Sequence, residues 1–177
     1  MASSRRPSRR PKLDRELIAA DFVFWPNYED GTEPDLVMVV GPYYLLFEAK
    51  YFSDFGKETP ERKDQITREI EGGSIEAKRL GKQFVYIAVT ADSVFRNEKF
   101  PPFIQALPIN FKWTNWQAVA SLLEGMLAKQ HGLAPHEMCH AQDLLDLLDR
   151  KNLRSFRGFT LEGHFTSFDR IFFDADS

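Results

Sequence analysis

The sequence predicts an α/β fold: a central sheet covered by helices. Three observations carry this. Residues 36–40, 43–50 and 83–89 are runs of β-branched and aromatic residues, too continuously apolar to leave one sheet face in water. Residues 61–80, 116–130 and 135–152 carry charged or amphipathic helical patterns. The two kinds of segment are interleaved along the chain, as layered α/β folds require. The 177 residues are 43% apolar and include sixteen Phe, three Trp and five Tyr, enough to build one core.

In order, residues 1–11 form a Ser/Arg/Pro-rich arm that cannot bury apolar surface and is expected to be disordered. Residues 12–177 are expected to form one domain. Leu13, Leu17, Ala20, Asp21 and Phe24 follow a helical spacing, so a first helix is expected over about residues 12–24. Residues 27–34, NYEDGTEP, have turn chemistry. Gly41-Pro42 separates two strands of a hairpin, and residues 53–60 read as a loop. The helix over 61–80 is expected to be interrupted or to end near Gly72-Gly73. A buried strand follows at 83–89, then an irregular stretch around Pro101-Pro102 and Pro108. In the last helical segment Leu144, Leu145, Leu147 and Leu148 form the apolar stripe.

Charge is unevenly spread. Residues 1–15 carry six basic side chains (Arg5, Arg6, Arg9, Arg10, Lys12, Arg15) against Asp14 alone, a net +5; the whole-chain −3 therefore leaves −8 on the rest. The arm either sits on phosphates or is a solubilising tail. No apolar run reaches the roughly 20 residues of a membrane helix, and no apolar stretch follows the arginines as in a secretory signal. Cys139 is the only cysteine, which rules out an internal disulfide and fits a reducing, cytoplasmic setting. No GxxxxGK[ST] motif is present, so no ATP motor is expected.

The hairpin EPDLVMVVGPYYLLFEAK carries charge at its open end. With Gly41-Pro42 as its centre, opposed residues have numbers summing to 83, so Asp35 faces Glu48. Opposed residues point to the same side, and Lys50, two beyond Glu48, joins them. Two carboxylates held together beside an apolar sheet repel and are desolvated; a divalent cation relieves both problems. Oxygen ligands suit Mg²⁺, which keeps several waters and binds phosphate oxygens. The alternative is a solvated edge on which Asp35 ends a turn and Glu48 pairs with Lys50 or another cation.

Pro34-Asp35 followed by Glu48-Ala49-Lys50 resembles the PD-(D/E)xK nuclease superfamily, which has the restriction-endonuclease-like fold. The resemblance covers about residues 13–92. It implies a nuclease that hydrolyses DNA with Mg²⁺ or Mn²⁺ held by Asp35, Glu48 and the carbonyl of Ala49, with Lys50 catalytic. Gln65, in DQITREIEGG, matches the extra Gln motif of many members and would be an active-site helper; Glu69, four residues on, shares its helix face. An acidic residue from the first helix would complete the site: Glu16, with Asp14 and Glu33 as rivals. The resemblance leaves a homodimer open and implies no membrane partner. The alternative within the fold is a module that binds nucleic acid or a partner without cutting.

Other motifs compete. His136-Glu137-Met138-Cys139-His140 matches the H-E-x-x-H zinc-peptidase pattern, but Pro135 marks a helix start, and a third ligand would have to be Glu162 or His164. The bland reading is helix-start chemistry, with Glu137 at the positive helix end. Trp113 and Trp116 read as core in preference to base-stacking platforms. Arg150, Lys151, Arg154 and Arg157 form a second basic cluster, either a phosphate contact or a charged helix end.

Overall fold

The computed structural model describes residues 19–51, 55, 63–105, 110–129 and 132–154. The expectations for the arm, the first helix over 12–18 (with Asp14 and Glu16), most of the 53–60 loop, Arg157, Glu162 and His164 lie outside those residues.

A five-stranded mixed sheet runs in spatial order β1 (Asp21–Phe24), β2 (Leu36–Val40), β3 (Tyr43–Ala49), β4 (Gln83–Thr90), β5 (Asn110–Asn115). The first three strands form an antiparallel meander; β4 and β5 add in parallel. Helix α1 (Gln65–Arg79) makes the crossover from β3 to β4, while α2 (Trp116–Lys129) and α3 (Pro135–Arg150) follow β5. This establishes the α/β class. No helix among the described residues is long and apolar enough to cross a membrane.

Local chemistry explains the ends of these elements. Gly41 takes φ 50°, the positive value a two-residue hairpin turn needs at its first central position. The Asp64 side chain accepts the Thr67 N–H at 3.0 Å and caps the start of α1. At the other end Gly81 takes φ 65°, its N–H bonds the Lys78 carbonyl, and that of Lys82 bonds the Ala77 carbonyl, a Schellman closure.

Side-chain alternation splits the core. Val37, Tyr44, Leu46, Tyr86, Ala88, Phe111 and Trp113 lie on the face covered by Ile66, Ile70 and Ala77 of α1. Leu45, Phe47, Val85, Ile87 and Val89 lie on the other face, against Trp116 and Val119 of α2. Helices thus lie on both faces, as the continuous hydrophobicity of the strands requires. Helix α3 packs on α2 through Ala120, Leu145 and Leu148.

Three expectations are corrected, and one strand appears that was not expected. Residues 21–24 are strand: Asp21 pairs with Val39 and Phe24 with Leu36, so the β-prone DFVF completes a ladder where a helical spacing also fits. Strand β5 is absent from the sequence reading, although Phe111 and Trp113 alternate with Lys112 at the strand period. Leu147 is exposed, outside the stripe of Leu145 and Leu148. Helix α1 runs unbroken through Gly72-Gly73. A Cβ on Gly72 would meet Tyr28 Cδ2 at 2.4 Å, and one on Gly73 would meet Phe84 Cε2 at 2.4 Å and Leu46 Cδ1 at 3.1 Å. Gly73 lets the helix lie directly on β3 and β4, and Gly72 lets it close on Tyr28 in the β1–β2 connection. Gly73→Ala is therefore expected to destabilise the protein by up to about 2 kcal/mol, because overpacking of ~1–3 kcal/mol outweighs the ~1 kcal/mol gain in helix propensity at a contact this short. A thermal melt checks it; a rise in melting temperature would show that the sheet yields freely.

Candidate active site

The hairpin register runs from Leu36↔Phe47 to Val40↔Tyr43, the pairing expected from the sequence, with no bulge. One step beyond the ladder, the Asp35 N–H points to Glu48 Oε2 at 3.4 Å, and the Ala49 N–H donates to Asp35 Oδ2 at 2.7 Å. Asp35 thus meets the Glu48 carboxylate through its N–H and the Ala49 backbone through its own carboxylate.

Glu48 shares the parity of Tyr44 and Leu46, so it projects under α1, where it is 2% exposed. Lys50 is held at three points. Its N–H bonds the Val89 carbonyl at 2.8 Å, its carbonyl accepts Trp116 Nε1–H at 3.2 Å, and its Nζ lies 2.7 Å from Glu48 Oε1. The same ammonium donates to Gln65 Oε1 at 2.9 Å and lies 5.6 Å from the centroid of the Phe55 ring.

Gln65, the first residue of α1, joins two carboxylates. Its Nε2 donates to Glu48 Oε1 at 2.7 Å and to Glu69 Oε1 at 2.6 Å. Tyr86, on β4, donates its hydroxyl to Glu69 Oε2 at 2.7 Å. Asp35, Glu48, Lys50 and Gln65 therefore meet at one end of the sheet, and Glu69 and Tyr86 stand behind them. The sequence reading placed Glu69 beside Gln65 but gave it no role, and it passed over Tyr86. A lone hydroxyl in QFVYIAV, on the same face as Glu48, was the available signal.

The charge balance is unusual. Burial pushes the Glu48 carboxyl above its ordinary range; Lys50 opposes this and Asp35 adds to it. Glu69 is fully buried, and burial followed by the charge of Glu48 pushes it up to about 8. Burial, then Glu69, raises Tyr86 well above an ordinary phenol. With Glu69 keeping its proton at neutral pH, the Lys50 ammonium faces the carboxyl groups of Asp35 and Glu48, one acid more than base.

That excess fits a hard divalent cation. Among the described residues no three His, Cys, Asp or Glu side chains gather as a ligand set, and both Glu69 oxygens are already taken by Gln65 and Tyr86. A cation would take Asp35, Glu48, the Ala49 carbonyl and water, a donor set that suits Mg²⁺, which retains several waters. Glu33, one rival for a further ligand, is instead exposed and accepts Asn27 Nδ2 at 2.8 Å.

The zinc-peptidase pattern meets different geometry. His136 and His140 are exposed on the first turns of α3, ring centroids 6.4 Å apart, and Glu137 Oε2 accepts the Ala134 N–H at 2.7 Å. Glu137 acts as a helix-start cap. Trp113 is core, 2% exposed, with Nε1 on Thr90 Oγ1 at 3.0 Å. Trp116 is half-buried and braces Lys50.

Compared with known proteins, the chain matches no family model and no curated sequence. The functional reading rests on the motif spacing and on the geometry above.

The raised Glu69 carboxyl gives a signed prediction. Unfolded, a Glu titrates near 4.3. Between about pH 5 and pH 8 the unfolded chain has lost this proton and the folded protein retains it, so this group's contribution to stability falls as pH rises. Glu69→Gln should remove up to about 1.4 kcal/mol per pH unit from that decline. Urea unfolding with chelator at several pH values checks it; parallel pH profiles for the two proteins would show that Glu69 ionises normally.

Proposed function

We propose that the protein is a divalent-metal-dependent nuclease of the PD-(D/E)xK type, with a restriction-endonuclease-like fold, that hydrolyses phosphodiester bonds in DNA. The observation that carries this reading is the meeting of Asp35, Glu48, Lys50 and Gln65 at one sheet end, from a hairpin and the helix after it. Asp35, Glu48 and the Ala49 carbonyl would hold Mg²⁺ or Mn²⁺. The cation would supply Lewis acidity and lower the pKa of a water.

The chain's own groups do the rest. Lys50 orients the attacking water and offsets negative charge growing on the phosphate. Gln65 holds the Lys50 ammonium through its carbonyl oxygen, while Glu69 and Tyr86 fix which way that amide points. Water attacks phosphorus and the 3′-oxygen leaves, giving a 5′-phosphate and a 3′-hydroxyl.

The test is incubation of purified protein with plasmid and linear DNA, with Mg²⁺ or Mn²⁺ and then with chelator. Cleavage that needs the metal and leaves ligatable 5′-phosphate ends is expected. Intact DNA at every metal concentration would overturn the reading, and tight binding without cutting would replace it with a non-catalytic module.

A further inference from the structure

Tyr51 directly follows Lys50, and its side chain reaches the far end of α3. Its hydroxyl donates to the Lys151 carbonyl at 3.0 Å, and the Lys151 ammonium lies 5.1 Å from the centroid of its ring. Trp116, at the start of α2, holds the Lys50 carbonyl from the same side of the sheet. The C-terminal end of α3 is thus tied to the strand end that carries Lys50, although a hundred residues of sequence separate Tyr51 from Lys151.

The cations in this region are not equivalent. Lys50 is committed to Glu48, Lys63 to Glu71, and Arg68 to Asp30. Arg154 pairs with Glu124 and, at 3.5 Å, with Asp149. Among the described residues, Arg150 and Lys151 are exposed and neither pairs with a carboxylate. Cations at a helix C-terminus also complement the helix dipole. That effect accounts for their charge but not for the Tyr51 contact, which places them beside the hairpin site. Residues 16–177 carry a net −8, so a polyanion reaching this site needs positive charge supplied locally.

We infer that Arg150, Lys151 and the partly exposed ring of Tyr51 form a contact surface for the DNA backbone, carrying the strand next to the phosphate at Lys50. This rests on the nuclease reading for its position and on charge for its chemistry. Arg150 and Lys151 take phosphates, and Tyr51 offers a ring face to a base or sugar. Arg154 is a structural ion pair and stays outside the surface.

The experiment is fluorescence anisotropy of a labelled DNA duplex over a salt series, in chelator so that nothing is cut. The Arg150→Gln/Lys151→Gln double variant should weaken binding to all sequences alike and flatten the slope of log affinity against log salt by up to about 1.8 units. Arg154→Gln should leave the slope unchanged. A double variant that keeps the wild-type slope would overturn the inference, as would stronger binding to phosphatidylserine vesicles than to DNA, lost with the same pair. Salt-dependent DNA binding that the double variant loses, with no cutting in Mg²⁺, would remove the nuclease reading and leave the surface standing. Cutting by a double variant with an unchanged slope would do the reverse.

Discussion

Replacing Lys50 by Ala is expected to lower DNA cleavage by about 10²–10⁴-fold while the protein stays folded and still takes up divalent metal. The ammonium contacts Glu48 Oε1 and Gln65 Oε1 and is not itself a ligand. On the proposed mechanism its loss would remove the group that steers the water and offsets the phosphate charge, and would leave the Asp35 and Glu48 oxygens in place. Glu48 then stands buried without its cation. Breaking a buried pair costs up to about 3–5 kcal/mol, but Gln65 still donates to Glu48 and Lys50 is partly exposed, so the cost should be smaller. Added Mg²⁺ should restore much of it by taking the place of the missing charge. Single-turnover cleavage with a melt in Mg²⁺ reads both effects. Cleavage at the wild-type rate would place the chemistry elsewhere.

Asp35→Asn should weaken divalent-metal affinity by about 100-fold or more. At an effective dielectric near 20, a unit charge ~4 Å from another contributes about 4 kcal/mol, and the charge on a dication doubles that; even after desolvation, the ~2.7 kcal/mol that a 100-fold loss requires is within reach. The fold should survive, because an amide oxygen can still accept the Ala49 N–H that Asp35 Oδ2 accepts at 2.7 Å. Cleavage should fall with metal occupancy and recover in part at high Mn²⁺. Calorimetric titration of metal into both proteins checks this. Equal affinities would mean that Asp35 is a turn residue only.

The hairpin end was legible in the sequence because strand alternation is a strict rule. Once Gly41-Pro42 is taken as the turn, the side on which Asp35, Glu48 and Lys50 point follows, and the ladder from Leu36↔Phe47 to Val40↔Tyr43 has that register. The Gln65–Glu69 pairing was legible for the same reason, since four residues make one helix face. What stayed hidden depends on long-range packing. Tyr86 meets Glu69 only because β4 lies under α1, and Trp116 meets Lys50 only because α2 crosses the second sheet face. Gly72-Gly73 read as a helix break because helix propensity is local, whereas their use is a close approach to Tyr28, Phe84 and Leu46. Strand β1 was misread because the apolar residues of DFVF fit a helical spacing as well, and only its pairing with β2 decides.

The proposed nuclease stands or falls on a divalent-metal site at the open end of the hairpin. Anomalous diffraction from crystals soaked in Mn²⁺ tests it most directly. One strong peak is expected, bonded to the Asp35 and Glu48 carboxylates and the Ala49 carbonyl, with water completing the shell and Lys50 close by but unbonded. Saturating Mn²⁺ with no peak between Asp35 and Glu48, or a peak only at His136 and His140, would contradict it.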